Sequence, residues 1–552
     1  MKYNKKIVLT LAIASAGLLT HNLGYANTAP DSGDLSKDFE TLPTQQQEPA
    51  ADIDFEAPEP VFAQEDENAI KVMINDIQFV GNTVLSSEFL SAAIEDDIGV
   101  EHSFISLENL ARSITREYQA EGYIMAQAYL PEQSLKDGLL LITINEGYLD
   151  QITIDQQGRL KTEVSQRYLA PLKGPVLNSE PLERQIRIMS DLAGSDLEVV
   201  FSPSELEGKT NLRLRSYDTG LINGYVALDN QGNRFTTAER ISGQLSFNNA
   251  LGYGESLGIN LASSGKGYNY MALDGALPVG ANGLTLTSQL SAMHYKLLEN
   301  FEVLDSHGYN REVSLGAKYP FVRTLDDNIY GAINFTHQES KDKVDTVNSV
   351  KDKTINSAAL SAYGDHTSFF GDKTDWQATL TAGSVELDSA TKASDTHGVD
   401  GSFSKLNFGV DYNRAFNDKW GLKVSANAQV AQNNLDSAMK MSLGGASAVR
   451  AYPQGEVSVD NGVLTTLEAR YLYSDSWQFS GFIDAADGQQ FKNKTAADTD
   501  NNKTLSGVGL SANWNADDWY LNATLAWRTD SAPESDSRDL KPRYWLQLVK
   551  AF

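Results

Sequence analysis

Residues 241–248 read Ile-Ser-Gly-Gln-Leu-Ser-Phe-Asn. Ile241, Gly243, Leu245 and Phe247 fall on one side of an extended chain, and Ser242, Gln244, Ser246 and Asn248 on the other, because successive side chains of a strand point to opposite faces. The same period returns where Leu284, Leu286, Leu290 and Ala292 alternate with Thr285, Thr287, Gln289 and Ser291. It returns again where Leu521, Ala523, Leu525 and Trp527 alternate with Asn522, Thr524 and Arg528. From about residue 221 to the C-terminus helical periodicity is absent. One apolar and one polar face, repeated this way, suits a membrane barrel with lipid outside and water inside. It also suits a soluble sandwich with one wet face.

Two features favour the barrel. Connections alternate short and long: Phe416-Asn417-Asp418-Lys419, Ser474-Asp475-Ser476 and Ala516-Asp517-Asp518 are tight polar turns, and long polar loops lie at about 432–463, 489–503 and 529–541, the habit of outer-membrane barrels. Aromatic residues Trp420, Trp477, Trp519, Tyr520 and Tyr544 stand at strand ends, where an interfacial girdle belongs. About sixteen strands fit between 221 and 552 at roughly twenty-one residues per strand and connection. An even count returns the C-terminus to the side from which the chain entered.

Upstream the pattern changes. Val72, Ile74, Ile77 and Phe79 form one strand-like run ending at Gly81-Asn82, and Leu107, Leu110, Ala111, Ile114 and Tyr118 follow at helical spacing. Strands are expected at 126–130 and 139–144. A similar order recurs from Ile152, with helices around 164–169 and 182–192 and strands at 197–201 and 211–215. Two tandem α+β modules are therefore expected at 69–149 and 150–218, ahead of a barrel at 219–552. Residues 27–68, with Pro30, Pro43, Pro49, Pro58 and Pro60 among Gln, Glu, Asp and Ala, read as an extended linker. Within it 34–42 can form a helical turn or two. Lys2, Lys5 and Lys6, the apolar stretch 7–19 and Gly24-Tyr25-Ala26 read as a signal peptide over 1–26.

The 552-residue chain has no cysteine and a formal charge of −28. A surface this negative repels phosphate backbones, which argues against nucleic acid as a partner. After Leu19 no run is long and apolar enough for a helical membrane span. The seven histidines show no metal-site spacing and are read as surface residues of loops and strands. No nucleophile elbow and no phosphate-binding loop is read in the chain, and Gly252-Tyr253-Gly254 is read as a hairpin turn. Asp498-x-Asp500-x-Asn502 opens like a calcium loop, but Lys503 replaces the turn glycine and Gly509 stands where a bidentate Glu belongs. No enzyme activity, catalytic residue, cofactor or metal is expected.

At this point several segments carry a family resemblance. Ile77-Gln78-Phe79-Val80-Gly81-Asn82-Thr83-Val84-Leu85, then Gly122-Tyr123-Ile124 with Ala128-Tyr129-Leu130-Pro131-Glu132-Gln133, and Asn145-Glu146-Gly147-Tyr148 resemble the first module of two-partner secretion transporters (TpsB, of the ShlB/FhaC/HecB type). So do Leu228-Asp229-Asn230-Gln231-Gly232-Asn233-Arg234-Phe235 and Asn248-Asn249-Ala250-Leu251-Gly252 in the first barrel hairpin. The resemblance covers nearly the whole mature chain. It implies a transmembrane β-barrel of about 16 antiparallel strands behind two polypeptide-transport-associated (POTRA) domains, located in the outer membrane with the POTRA domains in the periplasm.

Gly444-Gly445 followed by Val449-Arg450-Ala451-Tyr452 resembles the family's Val-Arg-Gly-aromatic tip, on a long loop that folds back into the barrel. Ala451 stands where Gly is usual. Gly481-Phe482-Ile483-Asp484 resembles the wall motif whose Asp receives that Arg, with Ala486 replacing its usual glycine. Transport and gating roles for Arg450, Asp484, Val449 and Tyr452 follow from the resemblance. An arginine inside a barrel needs a carboxylate in any case, since removing one partner of a desolvated pair costs about 3–5 kcal/mol. Phe552, with Tyr544, Leu546 and Leu548, resembles the C-terminal signal read by the barrel-assembly machinery, and 34–42 sits where these transporters carry a pore-plugging helix. The implied partners are a large secreted exoprotein (TpsA-type) with an N-terminal secretion domain, outer-membrane lipid, and the assembly machinery during biogenesis. The alternatives are an assembly factor for other barrels and a diffusion porin. Two modules and the Ala-Tyr-Leu-Pro-Glu-Gln run argue against the first, and the folded front end against the second.

Overall fold

The computed structural model describes residues 29–37, 62, 70–206, 208–536 and 538–552. The signal-peptide reading, over 1–26, and most of the linker reading lie outside the described residues.

A short helix, α1 (Ser32–Ser36), precedes the first module. That module holds β1 (Lys71–Ile74), β2 (Asp76–Val80), α2 (Ser87–Ala92), β3 (Val100–Ser103), α3 (Phe104–Ala120), β4 (Gln127–Tyr129) and β5 (Leu139–Asn145). The second holds β6 (Tyr148–Gln156), α4 (Thr162–Leu169), α5 (Ser179–Ser190), β7 (Ser195–Pro203) and β8 (Lys209–Asp218). Both sheets have one topology: the last strand is central, parallel to the first and antiparallel to the second (β2-β5-β4 and β6-β8-β7). Helix α3 starts where the Ser103 hydroxyl accepts from Ser106 N. Its Leu107, Leu110, Ala111, Ile114 and Tyr118 bury one stripe against Phe79, Leu140 and Ile142. The run through residues 72–79 is two strands, not one. Asn75 N turns aside to donate to Gly138 O at 2.7 Å, and β1 pairs with β3 in a separate ribbon.

The barrel strands are β9 (Ile222–Asp229), β10 (Arg240–Asn248), β11 (Ser256–Ser263), β12 (Tyr268–Pro278), β13 (Thr285–Lys296), β14 (Ser306–Arg323), β15 (Asp327–Val344), β16 (Ser349–Thr367), β17 (Lys373–Leu387), β18 (Gly401–Ala415) and β19 (Trp420–Ala431). Two short strands, β20 (Met441–Ser442) and β21 (Ser458–Val459), lie in a long loop. The wall then continues with β22 (Asn461–Ser474), β23 (Trp477–Gln489), β24 (Asn502–Ala516), β25 (Trp519–Arg528) and β26 (Arg543–Ala551). Sixteen antiparallel strands close the ring, β26 pairing with β9. The apolar face is the outer one: Ile241, Leu290, Leu360 and Leu510 are each more than half exposed. A sandwich would bury that face between its sheets, whereas a membrane barrel turns it to lipid.

Four readings change. Tyr520 faces the lumen, its hydroxyl donating to Asn513 at 3.1 Å, because it lies one residue out of phase with Trp519 on β25. The outer connections are not uniformly long, since β11 and β12 are joined by 264–267 alone. His102 is buried rather than superficial, its ring nitrogens 2.8 Å from Ser106 Oγ and 2.7 Å from Asp97 O. Gly254-Glu255-Ser256-Leu257-Gly258 does have nucleophile-elbow spacing, but Ser256 opens a hairpin strand paired to Asn248 and Ala276. An elbow needs a strand-to-helix turn.

The front end is fastened to itself and to the barrel. Ser179 N donates to Gly122 O (2.8 Å) and Leu177 N to Gly147 O (3.0 Å) between the modules. Arg323, at the inner end of β14, grips Asp191 through Nε and Nη2 (2.9 and 2.8 Å).

Candidate functional site

The loop between β19 and β22 does not stay outside. It returns into the lumen and buries Leu443, Val449, Ala451 and Tyr452 against Phe482, Ala486 and Leu505 of the wall. Its turn closes on Val449 N to Leu443 O (3.0 Å) and Tyr452 N to Val449 O (3.1 Å). Gly445 has φ +133°, and a Cβ there would lie 2.1 Å from Gln454 Oε1, so only glycine fits.

The tip places Arg450 against β23. Nε and Nη2 donate to the two oxygens of Asp484 at 2.9 and 2.8 Å, and the backbone N of Arg450 adds a third bond at 3.1 Å. Asp484 is fully buried and also accepts from Thr466 Oγ1 at 2.9 Å. The guanidinium carbon lies 3.3 Å from the Phe482 ring centroid, and Nη1 donates to Glu468 Oε2 at 3.3 Å. Glu468 in turn accepts from Arg470 Nε at 2.9 Å. Trp545 Nε1 caps the tip by donating to Arg450 O at 2.8 Å. A bidentate fork on a desolvated carboxylate is the strongest pairing these groups make.

Of the four residues the sequence singles out, the structure brings Arg450 and Asp484 into contact. It buries Val449 in the apolar cluster and turns the Tyr452 hydroxyl outward to donate to Ser531 O at 2.9 Å. Ala451 sits in ordinary backbone geometry, absent from the positive-φ positions, and presses on Gly507 of β24, where a Cβ would come within 2.5 Å of Ala451 Cβ. Ala486 joins the same cluster. The sequence reading missed Glu468 and Trp545, and it quoted Phe482 in the wall motif without giving it a role. Glu468 and Arg470 carry a signal, since both share the inward parity of Thr466 on β22.

The described helix near the N-terminus is α1, Ser32–Ser36, which overlaps the start of the expected 34–42 stretch; residues 38–42, with Phe39 and Leu42, lie outside the described residues. It starts at 32 because Asp31 caps it, accepting from Gly33 N and Asp34 N at 2.9 and 3.0 Å. It is lodged in the outer half of the lumen. Ser32 N and Oγ donate to Asp342 of β15 (3.0 and 3.1 Å), and Leu35 is buried among Phe235, Tyr268 and Tyr295. Ser437 Oγ donates to Asp31 at 2.8 Å, and Lys37 Nζ to Ser458 Oγ at 2.8 Å. The helix thus touches both the wall and the infolded loop.

In the front end, Glu146 joins two of the quoted motifs. It is buried and accepts from Thr83 N and Oγ1, from Val84 N (2.9 Å) and from Tyr118 Oη (3.0 Å). Burial, and then the Glu146 carboxylate, hold the Tyr118 phenol above its usual value. Gln133 pairs side chain to backbone with Leu141, at 2.8 Å both ways, and so covers β5 beyond the short β4. Among the described residues the outer edge of β2 is left unpaired within its sheet.

Among the described residues no group of three or more His, Cys, Asp or Glu could hold a metal. Asp498 binds Thr495 and His397, and Asp500 binds Lys503.

A family model described as haemolysin secretion/activation protein ShlB/FhaC/HecB matches residues 208–514, and the ShlB-type POTRA domain matches 72–147. The heme/hemopexin transporter protein HuxB of Haemophilus influenzae is 24 % identical over the full length of both chains. The outer membrane transporter CdiB of Escherichia coli is 24 % identical over 70 % of this chain and 67 % of its own. Among solved structures, CdiB from Escherichia coli superposes with a TM-score of 0.72 at 20 % identity, covering 90 % of this chain and 94 % of that one. CdiB from Acinetobacter baumannii gives 0.64 at 16 %, covering 95 % and 100 %. These structures share the fold.

Proposed function

The chain belongs to the haemolysin secretion/activation family ShlB/FhaC/HecB, and from that premise we propose that its front end captures one unfolded exoprotein in the periplasm and its barrel conducts that chain outward. Membership carries the coarser statements. The protein is an outer-membrane transporter of two-partner secretion with periplasmic POTRA domains, and transporters of this family, which are not enzymes, pair with secreted exoproteins.

The finer reading divides the chain into a cleaved signal peptide (1–26), a linker carrying the plug (27–68), POTRA domains at 69–149 and 150–218, and the barrel at 219–552. The cargo's N-terminal secretion domain adds a strand to the open edge of β2, the chemistry by which sheet edges take up extended chains. Arg450 and Asp484 are the gating pair. Val449 and Tyr452 seat the loop tip, and α1 closes the outer lumen until cargo arrives. The barrel-assembly machinery inserts the protein by way of Phe552 and its strand. The observation that carries this reading is the bidentate seat of Arg450 on a buried aspartate inside a POTRA-fronted barrel. Full-length similarity to a heme/hemopexin transporter makes an exoprotein that handles haem or hemopexin the first cargo class to seek.

Surface and supernatant proteomes of wild type, a deletion strain and an Arg450→Ala strain test it. Loss of one large exoprotein in both mutants, with other barrels unchanged, is expected. Broad loss of outer-membrane proteins would favour an assembly factor, and no loss of any exported protein a porin.

A further inference from the structure

Three successive outer loops meet at one aromatic ring. Phe491 lies in the loop 490–501 between β23 and β24. Its ring stacks on the imidazole of His397, from the β17–β18 loop, with centroids 3.7 Å apart and planes 11° apart. The ammonium of Lys440, from the infolded loop, lies 4.0 Å from the same centroid. The backbone of Phe491 is held by Asn501, whose amide accepts from Phe491 N (2.9 Å) and donates to Phe491 O (2.8 Å).

Around this ring the base of the infolded loop is tied down twice. Asn434, on the outgoing stem, accepts from Asn493 N (2.7 Å) and donates to Asn493 O (2.9 Å) and His397 O (2.7 Å). Asp460, on the returning stem, is fully buried. It pairs with Lys440 at 3.2 Å and accepts from Lys492 N at 2.8 Å. Both stems of the loop that carries Arg450 are therefore fastened to the β23–β24 loop, and through His397 to the β17–β18 loop.

We infer that Phe491 is a positioning residue for the infolded loop: gripped between His397 and Lys440, it latches the loop's base across the outer mouth, and this latch opens when cargo leaves. The chemistry suits a device that opens and recloses. Besides the one buried ion pair, Lys440–Asp460, most of its bonds are neutral amide contacts and ring stacking, which water can replace when the loops part. An extended chain leaving through the mouth on this side has to part the three loops. The inference rests on the secretion reading for what passes the mouth, but not for whether the latch holds the pore shut.

The test uses the full chain, which has no cysteine of its own. Asn434→Cys with Asn493→Cys places two thiols where side chain and backbone are now in hydrogen-bond contact. In the oxidised double variant export is expected to fall to background, and reductant to restore it, the reduced form serving as its own folding control. Complete cross-linking with unchanged export would overturn the latch. Independently of any cargo, purified Phe491→Ala in planar lipid bilayers should open its pore severalfold more often than the parent, while Phe491→Tyr should behave as the parent. An unchanged opening frequency in Phe491→Ala would overturn it too. If wild type exports no exoprotein at all, the secretion reading falls and the bilayer result still decides the latch.

Discussion

Glu146 in the first POTRA domain and Asp484 in the barrel wall are both withdrawn from water, and they are satisfied by opposite means. Glu146 draws on neutral donors of its own module: two backbone N–H groups and two hydroxyls, from Thr83, Val84 and Tyr118. Asp484 draws chiefly on one long cation at the tip of a loop that enters from outside the wall. The first arrangement is a brace, since its donors are fixed by the surrounding fold. The second is a seat that can be vacated, since withdrawal of the one guanidinium removes its countercharge. A buried carboxylate thus says little about function until the source of its donors is known.

Replacing each carboxylate with its amide separates the two cases. Asp484→Asn removes the charge that Arg450 is built to meet, and breaking such a pair costs about 3–5 kcal/mol. Loop docking should fail while the barrel stays folded, with export lost and the pore opening spontaneously in planar bilayers. Glu146→Gln keeps an acceptor oxygen for the backbone donors, so module 1 should lose only about 1–2 kcal/mol. Protease resistance of that module in the intact chain would measure this. Equal damage from both substitutions would break the comparison.

A smaller effect is expected at the seat itself. Gly507→Ala sets a methyl 2.5 Å from Ala451 Cβ, an overpacking cost of about 1–3 kcal/mol that should lift the tip and weaken export. Ala451→Gly in the same chain should relieve it, because it removes the opposing methyl and restores the glycine usual at that position of the family motif. Failure of the double variant to recover would place the cost elsewhere in the loop.

How much of this was legible depended on the distance over which each signal acts. Strand positions came from parity alone, as at Ile241 and Leu290, because a wall between lipid and water imposes one rule on every second residue. Parity also errs by one at strand ends, and there Tyr520 was misread. The division of residues 72–79 into β1 and β2 escaped because the break depends on Gly138, more than sixty residues away. Arg450 and Asp484 were reached through the family motifs, while Glu468 was available from its register with Thr466. The brace at Glu146 and the junction at Phe491 join segments too far apart in the chain for any local pattern to announce them.

The gentlest probe of the brace is alkali. Tyr118 donates its proton to Glu146 from a buried position, and its phenol titrates above its usual value, first through burial and then through that carboxylate. A group whose pKa is raised on folding contributes stability that is complete below the unfolded value, about 10 for tyrosine. That contribution fades as pH rises from there toward the folded value. Module 1 should therefore become protease-sensitive progressively above about pH 10. Tyr118→Phe, which has no proton to lose, should start less stable at neutral pH but show a flatter profile over that window. The Arg450–Asp484 seat owes nothing to this phenol, so loop docking should not follow the Tyr118 profile. If docking and module 1 instead softened together, with both responses abolished by Tyr118→Phe, the brace and the Arg450–Asp484 seat would be one coupled system rather than two.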